Sequence, residues 1–223
     1  MVEGLPISFQ APQENAVASY SYTDIAEGTG VVLFYGGTHI EDTTEAYSIA
    51  SNIIESHSLY TEGATVGTSF TKGIDIDFDL SPFNLPKTIK GTLNVVASMG
   101  SGGDGGSNSG EWYAIVKLRK WDGTTETDLA QAQSFTFPIP TGANNRTAKT
   151  TNFEINATAG FHFKKGEILR LTFEGWGKRI GADTNKYRIA HDPLNATDGT
   201  LFTDPIGATT TRIKYYIPFK LDL

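Results

Sequence analysis

The sequence contains no cysteine, so disulfides and thiolate metal sites are excluded outright. Basic charge is short as well: 18 Lys and Arg stand against 25 Asp and Glu, a formal net charge of -7. Nucleic-acid binding through phosphate neutralisation is therefore not expected, although Lys164, Lys165, Arg170, Lys178 and Arg179 fall close together. No stretch approaches the roughly 18 apolar residues of a membrane helix, so no membrane partner is expected. The opening Met1-Val2-Glu3-Gly4-Leu5-Pro6 has no basic region leading into an apolar run. No secretory leader is expected from it, and synthesis in the cytoplasm follows. Nucleophile-elbow, phosphate-loop and zinc motifs are missing, and His39, His57, His162 and His191 stand at no metal-ligand spacing. Neither an enzymatic role nor a cofactor is expected. A hydrolase with dispersed carboxylates is the remaining catalytic alternative, because glycosidase acids are set by geometry rather than spacing.

What is present is alternation. Between Val66 and Leu80 the even positions Val66, Phe70, Ile74, Ile76, Phe78 and Leu80 are apolar, and Asp75, Asp77 and Asp79 fall between them. A period of two sets one face against a core and the other in solvent. Gly73 marks a bend or bulge in this run. Near the C-terminus Ile213, Tyr215, Ile217, Phe219 and Leu221 form one face of a strand expected to be central, with Pro218 marking a locally unpaired edge. Shorter alternations are Ile89-Leu93-Val95-Ala97, Trp112-Ala114-Val116-Leu118, Phe135-Phe137-Ile139, Phe153-Ile155-Ala157 and Leu169-Leu171-Phe173. Asp122-Gly123 and Lys165-Gly166 read as hairpin turns.

Asp42-Thr43-Thr44-Glu45 has capping-box spacing before Ala46, Ile49, Ala50 and Ile53, so a short helix competes there with a strand. The strand is preferred, because Tyr47 and Ile49 also alternate. Residues 100–110 are nearly all Gly, Ser, Asn and Asp and read as a flexible loop. The whole predicts an all-β fold: an antiparallel β-sandwich of nine to eleven strands, jelly-roll in type. Residues 16–223 form this single domain. Residues 1–15 form an extended arm in which Leu5, Ile7 and Phe9 alternate as a strand seeking an edge.

Three features invite chemistry. Asp75, Asp77 and Asp79 lie about 6.5–7 Å apart along one face, too far for the three alone to share a calcium ion; a solvated, charged strand face is expected. His191-Asp192-Pro193-Leu194-Asn195-Ala196-Thr197-Asp198-Gly199 is rich in oxygen ligands but equally suits an Asx-turn loop. Sequons at Asn145, Asn156 and Asn195 carry no weight without a leader. Outward aromatics are the positive sign of binding. Tyr113 and Trp121 have the parity opposite to Trp112 and Val116, and Trp176 stands between Gly175 and Gly177 after a strand. Such rings stack on sugars or anchor protein interfaces, unless a second sheet or subunit covers them.

Ser19-Tyr20-Ser21-Tyr22-Thr23-Asp24-Ile25-Ala26-Glu27-Gly28-Thr29-Gly30, running into Val31–Gly36, resembles an opening found in virion structural proteins of tailed viruses. Phe163-Lys164-Lys165-Gly166-Glu167-Ile168-Leu169-Arg170-Leu171 is similar to a penultimate-hairpin pattern of jelly-roll domains, including phage and C1q/TNF-like ones. The resemblance implies a capsid decoration or cement protein, a turret or a head-fibre component. Its implied partners are further copies of itself, as a homotrimer or larger ring, and a capsid or other virion protein. The alternative is a carbohydrate-binding module or lectin that presents Tyr113, Trp121 or Trp176 to surface glycans.

Overall fold

The computed structural model describes residues 18–19, 29–53, 56–103, 109–141, 146–182, 184–193 and 212–220. Fifteen strands, more than the nine to eleven expected, and no helix occur among them. The first seven are β1 (Ala18–Ser19), β2 (Thr29–Glu41), β3 (Thr44–Ala50), β4 (Tyr60–Ala64), β5 (Thr71–Leu80), β6 (Lys87–Ile89) and β7 (Thr92–Gly103). Then follow β8 (Ser109–Trp121), β9 (Glu126–Gln133), β10 (Phe137–Ile139) and β11 (Arg146–Asn156). The last are β12 (Phe161–Phe163), β13 (Ile168–Ile180), β14 (Asn185–Ala190) and β15 (Lys214–Lys220).

One hydrogen-bonded path runs β10-β8-β13-β5-β3-β2-β15-β7-β14-β4, antiparallel throughout except for a short parallel contact of β3 with β5. A strand has two edges only, so some neighbours share one. β9 and β10 lie in tandem along β8, and β15 and β14 in tandem along β7, whose other edge takes β11. The path folds back on itself as a sandwich. The front layer is β9/β10-β8-β13-β5, and the back layer holds β2, β15, β14, β7 and β11. Rings join the two: Phe173 meets Phe153 at 6.1 Å and Tyr215 at 6.5 Å, and Trp112 stacks on Tyr187 at 5.1 Å.

The alternating residues supply this core. Trp112, Ala114, Val116 and Leu118 of β8 share one core with Leu93, Val95, Ala97 and Met99 of β7, all at most 2% exposed. Tyr187 occupies a cradle of glycines: a Cβ on Gly63, Gly73, Gly175 or Gly177 would stand 2.4–2.8 Å from its ring or hydroxyl. The Tyr187 hydroxyl donates to the Gly175 carbonyl at 3.1 Å. Gly73 is the extra residue opposite the Gly175/Trp176 step, so the bulge read from the sequence is present.

At Asp42 the chain turns with φ of 56°, a left-handed conformation that Asp tolerates, and a hairpin forms where capping-box spacing competed for a helix. β15 is central, lying between β2 and β7, and Pro218 falls between the β7 and β6 contacts.

Four expectations are corrected. The Val66–Leu80 run becomes strand only from Thr71, and Val66 is 63% exposed. Gly100–Gly103 and Ser109–Gly110 belong to β7 and β8, because β7 pairs on both edges there; residues 104–108 lie outside the described residues. Lys164–Glu167 is a turn with Gly166 at φ 86°, yet not a hairpin, since β12 pairs with β6 and the turn binds Phe83 instead. Phe135 is not a core residue; it is 87% exposed.

Candidate functional site

The outer face of the front layer carries the polar half of each alternation. Along β8 it presents Glu111, Tyr113, Ile115, Lys117, Arg119 and Trp121, each opposite an outward residue of β13. Asp75, Asp77 and Asp79 of β5 form the next column, and Glu126 and Asp128 of β9 stand on the far side. Basic columns thus lie between acidic ones.

Arg170 grips Asp79 through Nε and Nη2, both at 2.7 Å, and reaches Glu126 at 3.0 Å and Asp77 at 3.3 Å. The Asp79 hydrogen bonds hold its guanidinium well above the ordinary arginine range. Arg119 pairs with Glu126 at 2.7 Å and Asp128 at 2.6 Å. Glu174, 3% exposed, accepts from Lys117 at 2.8 Å and from the Trp176 indole at 3.0 Å. Burial pushes its carboxyl up, but these donors outweigh burial and keep it below the usual range. The three aspartates are therefore ion-paired, each to a neighbouring cation. Among the described residues no group of three or more His, Cys, Asp and Glu is placed to hold a metal ion.

Of the aromatics singled out from sequence, the structure brings two together. Tyr113 and Trp176 stack at 6.4 Å with planes 8° apart, and Phe70 meets Tyr113 edge-on at 4.9 Å. Lys178 Nζ lies 4.8 Å over the Phe70 ring. Trp176 is inside β13 rather than after it, because the Gly73 bulge lets β5 keep pace with the glycines around it. Trp121 is eight residues along β8 from Tyr113, about 27 Å at the usual strand rise, and its ring lies 5.0 Å under Arg170. Leu5, Ile7 and Phe9 lie outside the described residues. Of the His191–Gly199 loop only His191, Asp192 and Pro193 are described, and all three are buried.

Phe135 is the residue that sequence reasoning missed. Gln133 faces Ile115 and Phe137 faces Trp112, so three residues of the β9–β10 edge span two of β8. The extra residue makes a bulge beside Tyr113. Ser134 pins it: its N–H donates to the Ala114 carbonyl at 2.9 Å, and its hydroxyl accepts from the Ala114 N–H at 3.0 Å. The hydroxyl in turn donates to the Phe135 carbonyl at 2.8 Å. The phenyl ring is thus held out from a fixed backbone. A signal existed: the inward set is even at Ala130 and Ala132 and odd at Phe137 and Ile139, which requires an added residue between them.

No family model matches the chain, and no curated protein matches it. Three solved structures illustrate its likenesses. An aminopeptidase from the marine sediment archaeon Thaumarchaeota archaeon aligns at TM-score 0.44 and 9% identity, over 84% of this chain and 37% of that one. A CocE/NonD family hydrolase from Staphylococcus aureus aligns at TM-score 0.44 and 11% identity, over 85% and 36%. A chain of infectious bursal disease virus, Gx strain, aligns at TM-score 0.35 and 9% identity, over 98% and 58%. The chain thus spans between about a third and three fifths of the length of these proteins. Likenesses of this depth assign no function.

Proposed function

We propose that this chain is a non-catalytic structural module that assembles through protein–protein contacts, with a virion as its setting: capsid decoration or cement, turret or head fibre. The observation that supports assembly is Phe135, an aromatic side chain 87% exposed on a hydrogen-bonded bulge of an edge strand. Exposed aromatics on pre-organised backbone make effective anchors, because little ordering entropy is lost when they dock. The half-buried Tyr113, Trp176 and Phe70 continue the apolar surface beside it, and the ion-paired rows beyond suit the polar rim of an interface. The proposed partners are further copies of the chain, as a trimer or larger ring, and a capsid protein. A glycan platform has less in its favour, since Tyr113 and Trp176 stack on each other rather than lying open side by side.

Sedimentation velocity over a concentration series tests the reading. The natural chain should associate, and Phe135→Ser should keep the same melting temperature while shifting to monomer. A natural chain that stays monomeric alone and does not bind capsid particles, or a Phe135→Ser variant that associates unchanged, would overturn it.

A further inference from the structure

Away from the aromatic face, the segment Ser56–Leu59 crosses the top of β2 and is tied down at both ends. The His57 N–H donates to the Thr38 carbonyl at 2.9 Å, and the Ser58 N–H donates to Thr38 Oγ1 at 2.9 Å. Ser56 Oγ accepts from the Thr38 N–H at 2.9 Å and donates to the His191 carbonyl at 3.3 Å. The His191 N–H donates to the Leu59 carbonyl at 3.0 Å. A hollow of about 360 Å³ lined by Thr38, His39, Ser56 and His57 opens beside the segment.

His191 is completely buried. Its Nε2 meets Thr61 Oγ1 at 3.0 Å, and its ring lies edge-on to Tyr47 at 5.4 Å and Phe78 at 6.0 Å. Its Nδ1 is enclosed without a hydrogen-bond partner among the described residues, as is Glu45 Oε1. A neutral ring tolerates this; an imidazolium carries two N–H donors and a charge, which full burial strips of water. We propose that Ser56–Leu59 is an acid-released strap, latched by neutral His191 and freed when that ring takes up a proton.

The charged and titratable groups facing His191 are Glu45 and Tyr47 on β3 and its own neighbour Asp192; Thr61 on β4 and Phe78 on β5 bring no charge. Burial depresses the imidazole to about 4; the attraction of Glu45 and Asp192 and the backbone of His191 and Ser58 favour the proton but offset only part of that. Because the closed state binds the proton less well than the open one, closure is fully favoured above the ordinary histidine value of about 6.5 and weakens as pH falls towards 4. Between pH 7 and pH 4.5 the opening equilibrium should rise about 60-fold, from the two proton affinities alone.

Amide hydrogen exchange on the full chain, corrected for intrinsic rates, reads this directly at His57, Ser58 and His191. Their protection should drop by tens of fold between pH 7 and pH 4.5, while amides of β13 keep theirs. His191→Gln retains a group for Thr61 but cannot titrate, so its strap protection should be independent of pH. In the natural chain, proton resonances of the His191 ring should titrate well below the ordinary histidine value of about 6.5, which needs no variant to fold. Unchanged strap protection, loss of protection across all strands together, equal pH dependence in His191→Gln, or an ordinary His191 titration would each overturn the proposal.

Discussion

Two glycines show how differently the same substitution acts. At Gly175 an added Cβ would stand 2.8 Å from Tyr187 Cε2 and 3.0 Å from Ile74 Cβ, both held in packed core. Gly175→Ala should cost about 1–3 kcal/mol through overpacking and lower the melting temperature by several degrees. Near-ultraviolet circular dichroism should change with it, because the Trp112–Tyr187 stack must shift. Gly123 has nothing within 4 Å and a φ of 95°. Gly123→Ala should cost about 1–2 kcal/mol through backbone strain alone, with the aromatic dichroism unchanged. Tyrosine titration reads the same core. Burial pushes the Tyr187 hydroxyl up to about 12 and the Tyr215 hydroxyl well above its ordinary value. At pH 11 Tyr187 and Tyr215 should therefore add little phenolate absorbance in the folded chain and should add it once the chain unfolds. Since the unfolded chain gives up these protons first, stability is held below pH 10 and declines above it.

At the scale of elements, Ser134 and Phe135 make opposite predictions from adjacent positions. Ser134→Ala removes the acceptor of the buried Ala114 N–H and should cost about 1–3 kcal/mol, measurable by urea denaturation. Phe135→Ser should fall within about 0.5 kcal/mol of the natural chain. Much of this organisation was legible. Trp112–Leu118, Leu93–Ala97 and Ile213–Ile217 declared their faces by parity, and Gly73 declared its bulge. Three things were not legible, each for a physical reason. Val66 has the right parity but lies before the strand begins, because alternation does not reveal where pairing stops. The glycines from Gly100 to Gly103 read as loop by composition, whereas two flanking strands supply hydrogen bonds that outweigh their entropy. Lys164–Glu167 has hairpin chemistry, but its flanking strands choose other neighbours, and a turn type does not fix partners.

For the molecule as a whole, the candidate surface was legible only in its parts. Parity placed Tyr113 and Trp121 outward, but only strand order shows that Trp176 joins Tyr113 and that Trp121 stands apart. The arm at residues 1–15 lies outside the described residues, and its role rests on the alternation of Leu5, Ile7 and Phe9 and on Pro6 and Pro12, which cannot donate to a ladder. If the proposed function holds, deleting residues 1–15 should leave the melting temperature nearly unchanged and abolish co-sedimentation with capsid particles. Normal docking would remove the arm as anchor, and failure to fold would place it in the core.

The position of β15 also sets a schedule for synthesis. β2, the first long strand among the described residues, has Lys214–Lys220 as its neighbour, and β7 waits for the same segment. Pairings so distant along the chain form late and slowly. A nascent polypeptide stalled with Lys214–Lys220 still inside the exit tunnel should therefore remain open to protease, with the edges of β2 and β7 that take β15 exposed to chaperones. Emergence of that segment should close the molecule in a single step.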